Sequence, residues 1–219
     1  MKKIILGILC TLFLLVVPSH FSNTSEITST MTKEEKIEFR LRIKESIINN
    51  KVEKEYELFF NNLDEIGTPC FVQDFFNKLI YEAVDSKSLP SILIAQAAVE
   101  TGYGKHNKLK NNIFGIKGRG IRTQTKEFYK GRFITIRANF QYFPTLKDAF
   151  NRHYQILNRY GVYGYNYNIW IERIVAGGYA TDPNYDKKLK YVIEKYELHR
   201  LDEIQKLKSI KTCNLNENY

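Results

Sequence analysis

Apolar residues recur at helical spacing over most of this chain and at strand spacing in one stretch. From Lys33 to Leu63 the chain is densely charged, yet Ile37, Leu41, Ile48, Val52, Tyr56, Phe59 and Leu63 fall three, four or seven apart, the stripe of an amphipathic helix. Pro69 to Val84 repeats the pattern with Phe71, Phe75, Phe76, Leu79, Ile80 and Ala83 facing inward. After the polar break Asp85 to Ser88, Pro90 suits a first helical turn, and Ile92 to Val99 is apolar except for Gln96. That helix is expected to be surrounded by protein and to end at Glu100-Thr101-Gly102, with Gly102 as a left-handed terminator.

The period then changes. Glu100 to Gly131 is rich in glycine and reads as irregular loop leading into a strand at about Arg122 to Tyr129. Beyond a turn at Lys130-Gly131, Ile134, Ile136, Ala138, Phe140 and Tyr142 alternate with polar residues, so a second strand pairs back as a hairpin. Thr145 and Asp148 form a capping box for a helix burying Leu146, Ala149, Phe150, Tyr154 and Leu157. Another helix runs around Ile169 to Val175 and ends at Gly177-Gly178. A further one, begun by Asp182-Pro183 with Asp182 as its N-cap, buries Leu189, Val192, Ile193 and Tyr196. The expected fold is mainly α with a small β hairpin lobe, an α+β chain.

The first residues follow a different logic. Lys2 and Lys3 precede a 14-residue apolar run, Ile4 to Val17, followed by Pro18 and Ser19, the anatomy of a secretory signal. Export with cleavage near Ser19 or Ser22 is expected, an uncleaved anchor being the alternative. Cys10 sits too early, behind bulky Leu9, for a lipid-attachment cysteine. The expected organisation is a signal peptide over 1–22, a linker and charged helix over 23–66, a domain over 67–205 and a polar tail over 206–219.

Composition narrows the chemistry. The 219 residues carry 33 Lys and Arg against 24 Asp and Glu, a net charge of +9, which suits a polyanionic partner. No run reaches the ~18 to 20 apolar residues of a membrane span. Only Cys70 and Cys213 would survive processing, permitting one disulfide, although Cys70 in its apolar stretch reads better as a buried free thiol. His20, His106, His153 and His199 show no metal-ligand spacing, and neither a P-loop, a G-x-G-x-x-G nor a nucleophile elbow is present. No metal and no cofactor are expected.

Glu100 is the residue most at odds with its surroundings, because the eleven residues before it carry no charge. Burial and the negative end of a helix dipole both favour its protonated form, the property of a general acid near neutral pH. It reads equally as a glutamate on an exposed last turn, satisfied by water or Lys105.

The stretch Ala95-Gln96-Ala97-Ala98-Val99-Glu100-Thr101-Gly102-Tyr103-Gly104, then Asn111-Asn112-Ile113-Phe114-Gly115-Ile116-Lys117-Gly118, resembles the signature of the peptidoglycan-cleaving glucosaminidases of glycoside hydrolase family 73. The resemblance continues through Thr125-Lys126-Glu127-Phe128-Tyr129-Lys130-Gly131 and Gly178-Tyr179-Ala180-Thr181-Asp182-Pro183-Asn184-Tyr185. These four motifs, in order, cover about residues 70 to 203. The family implies a lysozyme-like, two-lobed groove, Glu100 as catalytic acid and Glu127 as a second carboxylate, the latter otherwise reading as a solvated strand residue. Some members carry an acid where this chain has Asn151-Arg152-His153, so no role transfers there.

Eight of the fifteen tyrosines lie between Tyr160 and Tyr196, and tyrosine offers sugar rings both a flat face and a hydroxyl. Tyr179 is the candidate to polarise an N-acetyl group. Asn112, Phe114 and Tyr129 complete the substrate-binding candidates, with loop packing the alternative for Asn112 and Phe114. The resemblance implies an exported endo-β-N-acetylglucosaminidase, an autolysin-type enzyme secreted or bound at the cell wall. A lytic transglycosylase or muramidase on the same fold, or a silent wall-binding module, are the competing readings. Its expected partners are peptidoglycan glycan strands and anionic cell-wall polymers, with no nucleic acid and no stable membrane span.

Overall fold

A computed structural model of the chain describes residues 32–216. The expected export signal and the linker ahead of Thr32 lie outside the described residues, as does the side chain of Cys213. The described residues form seven helices and one hairpin: α1 (Lys33–Glu65), α2 (Cys70–Val84), α3 (Pro90–Thr101), β1 (Gly120–Tyr129), β2 (Arg132–Gln141), α4 (Leu146–Asn158), α5 (Tyr167–Ala176), α6 (Tyr185–Lys195) and α7 (His199–Asn216). The chain divides into two compact units, one through Ile47 and one from Ile48 onward, and α1 crosses that boundary. In the first unit Thr32 and Glu35 cap one another reciprocally at the start of α1, and Ile37, Ile43 and Ile47 are exposed.

The second unit is built around α3. Its residues from Pro90 to Ala98 are all buried, and it packs against α2, α5, α6 and α7. Complete burial of Ile92, Leu93 and Ile94 stabilises the domain by roughly 1.5 to 3 kcal/mol per side chain. The C-terminal half of α1 adds Phe59 and Leu63 to this core, with Val52, Tyr56 and Phe60 packed against it. Leu89, at the N-cap of α3, has no oxygen to offer the first turn. The cap arrives from the far end of the chain, as Asp202 of α7 accepts the Ser91 N–H at 2.8 Å.

The hairpin runs in register from Gly120↔Gln141 to Tyr129↔Arg132 around the Lys130-Gly131 turn. Residues 116–118 pair with the other edge of β2, through Gly118 N–H to Asn139 O at 3.0 Å and Gln141 N–H to Ile116 O at 2.8 Å. The capping box of Thr145 and Asp148 opens α4 with both reciprocal bonds in place.

Several expectations are corrected. Phe71 points outward and carries Lys105 Nζ over its ring at 3.8 Å, while Val72 takes the inward position. Cys70 is an exposed free thiol, because it opens α2 on the side away from Val72, Phe75 and Phe76, which face the core. On α4 the fully buried side chain is His153 rather than Tyr154. Asp182 is not a helix N-cap: α6 begins at Tyr185 with Asn184 as cap, and Asp182 accepts the Asn184 N–H at 2.9 Å in the preceding turn and pairs with Lys188. The boundary expected at 205 falls inside α7, where Leu201, Asp202 and Ile204 are buried.

Candidate active site

A groove of about 700 Å³ lies in the second unit, where the end of α3 and the loop after it face β1, α4 and the α5–α6 connection. Glu100 stands in its wall on the last turn of α3 because the helix stops abruptly behind it. Gly102 adopts φ 57°, ψ 50°, a left-handed conformation in which a Cβ would be strained and would also meet the His106 ring at 2.8 Å. Thr101 locks the turn, donating its hydroxyl to Ala97 O at 2.6 Å and accepting the Gly104 N–H at 2.9 Å.

The Glu100 side chain is reached by solvent from the groove, yet its carboxyl lies deep within surrounding protein. The carboxyl sits among the groove walls rather than in bulk solvent, and desolvation there pushes its pKa up to about 7. Two contacts pull the other way without cancelling it, a hydrogen bond from Tyr185 and the charge of Lys188. The Tyr185 hydroxyl donates to Glu100 Oε1 at 3.3 Å and accepts from Gln96 Nε2 at 3.1 Å. Gln96 sits one helical turn before Glu100 and is fully buried, which explains the one polar residue in the apolar run of α3. Lys105 is engaged with Phe71 and is not the partner of Glu100.

An aromatic stack continues from this triad. Tyr179 lies over Tyr185 with centroids 5.8 Å apart and planes at 27°, and its hydroxyl is 3.2 Å from His153 Nε2. His153 stacks on Phe114 at 3.9 Å and 17°. Complete burial pushes the His153 pKa down to about 3, so the ring is neutral, and its Nδ1 has no hydrogen-bond partner among the described residues. Gly115, at φ +61°, runs beside the carboxyl, and a Cβ there would stand 3.6 Å from Glu100 Oε2.

Of the residues singled out in the sequence, Glu100, Glu127, Asn112, Phe114 and Tyr179 all line this groove. Glu127 projects from β1 on the face shared with Thr123 and Thr125 and forms an ion pair with Lys117. Asn112 is committed elsewhere. It is buried, donates to Ile116 O at 2.9 Å and to Gln141 O at 2.8 Å, and accepts the Ile116 N–H at 2.9 Å, pinning the loop to β2. Phe114, 3% exposed, serves as the platform for His153 rather than as an open face. Tyr129 lies outside the lining, exposed next to the hairpin turn with Lys130 over its ring. Sequence reasoning missed Gln96, Tyr185, His153 and Lys188. Gln96 and Tyr185 had a signal, one an isolated amide in an apolar helix and the other the last residue of a motif.

Residues 77–198 match the family Glucosaminidase, described as Mannosyl-glycoprotein endo-beta-N-acetylglucosaminidase. The chain is 34% identical over 144 residues to Exo-glucosaminidase LytG of Bacillus subtilis, covering 58% of this chain and 50% of that protein. It is 30% identical over 137 residues to a probable N-acetylmuramidase of Lactococcus lactis, covering 54% of this chain and 31% of the relative. Among solved structures, the catalytic domain of the autolysin Auto from Listeria monocytogenes superposes with a TM-score of 0.52 at 30% identity, covering 62% of this chain and 89% of that one.

Proposed function

The chain belongs to the endo-β-N-acetylglucosaminidase family that residues 77–198 match, and from that premise we propose that it hydrolyses the glycosidic bond after N-acetylglucosamine in peptidoglycan glycan strands, with Glu100 as general acid. One observation supports this above the rest: the groove holds a carboxyl that keeps its proton up to about pH 7, aimed into open space and oriented by Tyr185. The Glu100 proton passes to the departing glycosidic oxygen as the C1–O bond breaks. Water adds its hydroxyl to C1 and gives its proton to the carboxylate of Glu127, which the Lys117 ion pair holds against the groove wall.

Tyr179 polarises the acetamido carbonyl of the sugar. Neutral His153 has two tautomers, and the one protonated on Nε2 donates to the Tyr179 oxygen and leaves only a lone pair, not an N–H, unsatisfied at the buried Nδ1. That frees the phenolic hydrogen of Tyr179 for the groove. Export to the cell wall, through the Lys2–Val17 segment, belongs to the same reading.

The test is digestion of purified peptidoglycan with mass spectrometry of the new ends. N-acetylglucosamine at the new reducing ends, on fragments longer than one disaccharide, supports the reading. N-acetylmuramic acid ends would make the enzyme a muramidase, a reading favoured by the Lactococcus relative. Anhydro ends would make it a transglycosylase, single terminal sugars an exo-acting enzyme, and no cleavage a binding module.

A further inference from the structure

The positive charge of this protein is not spread over its surface. Residues 101–147 contain eleven Lys and Arg and one acid, Glu127, a net of +10 in a chain whose total is +9. The whole net charge therefore belongs to the loop after α3 and to the hairpin, and Glu127, already paired with Lys117, neutralises none of the rest.

The hairpin sorts these charges by face. One face carries Ile121, Thr123, Thr125 and Glu127 opposite Phe140, Ala138, Ile136 and Ile134 and is half-buried or buried. The other face carries Arg122, Gln124 and Lys126 opposite Asn139, Arg137 and Thr135, and every one of these is exposed. It holds three cations and no acid. In the register, Arg137 lies diagonally between Arg122 and Lys126, so the cations form a zigzag with neighbours about 7 to 8 Å apart. Arg119, in the bend just before Gly120, is also exposed. Among the described residues Arg119, Arg122 and Arg137 have no ion-pair partner, and none of the three lines the groove. A protein that leaves like charges this close, uncompensated on a sheet face, gives up stability there.

We propose that the outer face of the hairpin docks a second polymer, a linear phosphodiester chain of the cell wall, while the glycan strand occupies the groove. The assignment rests on the reading of the groove as a peptidoglycan site. Lys126, at one end of the row, lines the groove, whereas Arg119, Arg122 and Arg137 lie outside it and are placed for an anion that is not part of the strand bound within it. Arginine, the residue at three of the four positions, pairs its planar fork with phosphate oxygens. A repeating polyanion engages several such forks along the zigzag at once, so contacts that are individually weak add up without a pocket.

The experiment measures binding of poly(glycerol phosphate) to the full chain across a salt series, with polyglutamate and neutral dextran as comparators. The wild-type protein is expected to bind the phosphodiester polymer more tightly than polyglutamate and to leave dextran unbound. The triple variant Arg119→Gln, Arg122→Gln, Arg137→Gln is expected to lose roughly tenfold or more in affinity, and its slope of log affinity against log salt should fall by about two to three, at ~0.7 to 0.9 per phosphate contact. The corresponding triple Arg→Lys variant keeps the charge and should keep most of the slope. Equal affinity for polyglutamate, or a Gln variant with unchanged slope, overturns the proposal. Hydrolysis of glycan strands stripped of phosphodiester polymer separates the two readings. Wild type and Gln variant should cut them alike, whereas a wild-type protein that leaves them uncut refutes the proposed function and not the docking face.

Discussion

Tyr185 and Glu100, 85 residues apart in the sequence, are joined by a hydrogen bond of 3.3 Å in which the phenol donates to Oε1. The direction of that bond is set from behind, because Gln96 donates to the same phenolic oxygen and leaves the Tyr185 hydrogen for the carboxyl. Gln96 and Glu100 belong to one helix, so the unit closes on itself through a residue of α6. The groove's acid is thereby held by two elements of the core rather than by a surface loop.

Glu100→Gln removes the titratable proton and keeps the shape. Turnover of peptidoglycan is expected to fall by roughly 10² to 10⁴, the usual contribution of general acid catalysis, with the thermal unfolding midpoint unchanged or raised. Glu127→Gln is expected to lose activity through the acceptance of the water proton, and added small carboxylates should restore part of it. Near-wild-type hydrolysis by folded Glu100→Gln would remove Glu100 from the mechanism.

The pH profile follows from the same group. Glu100 must be protonated to act, and its pKa of about 7 places the alkaline limb of kcat near neutrality. The Tyr185 bond favours the ionised form, so Tyr185→Phe raises the pKa further and moves that limb to higher pH. Gln96→Leu is expected to move it the same way by a smaller amount, since Tyr185 then loses its orientation but keeps its hydroxyl. Profiles that superimpose on the wild type would show that the Tyr185 bond does not tune the acid.

How far the sequence alone reached depends on the range of the interaction. Glu100 was legible because its signal is local, one carboxyl at the end of an apolar run before a left-handed glycine. The hairpin and the Thr145 cap were legible for the same reason, a period of two and a spacing of three. Tyr185 as the partner of Glu100 was not, since nothing near residue 185 reports what lies across α3. Asn112 shows the opposite limit: its motif left sugar binding and loop packing equally open, and its amide is consumed by Ile116 and Gln141. Phe71 and Cys70 were misplaced because helix phase is least defined in a first turn. The last helix escaped notice because α7 shows almost no apolar stripe, its buried residues, among those whose burial is described, falling in its first two turns.

Asn112→Ala tests the structural assignment of that amide. It leaves the Ile116 N–H and the Gln141 carbonyl without this partner beside a buried site, while the Ile116 carbonyl keeps the Gln141 N–H. The expected cost is roughly 1 to 3 kcal/mol for each buried group left unsatisfied, partly relieved by water from the groove, read as a lower midpoint in urea. Because the pinned loop carries Gly115 past Glu100, kcat should fall as well, while binding of short glycan oligomers changes little. A stable variant with weakened oligomer binding alone would return Asn112 to the sugar subsites.

Asp202 supplies the last prediction, at the opposite end of the helix that carries Glu100. It is 2% exposed and accepts the Ser91 N–H, which favours its charged form, yet burial outweighs that bond and pushes its pKa up to about 8. A carboxyl whose folded pKa lies above its unfolded value of 3.8 contributes stability that is complete below pH 3.8. That contribution is lost progressively as pH rises through the folded value near 8. Asp202→Asn keeps an oxygen for the Ser91 N–H and carries no charge, so its stability should lack this slope. The two proteins should therefore unfold at similar temperatures near pH 4 and diverge above it, with the variant ahead by on the order of a few kcal/mol at pH 9. Urea denaturation at a series of pH values measures the divergence. A variant less stable than wild type at pH 9 would mean that the ionised carboxylate, and not the neutral acid, is what caps α3.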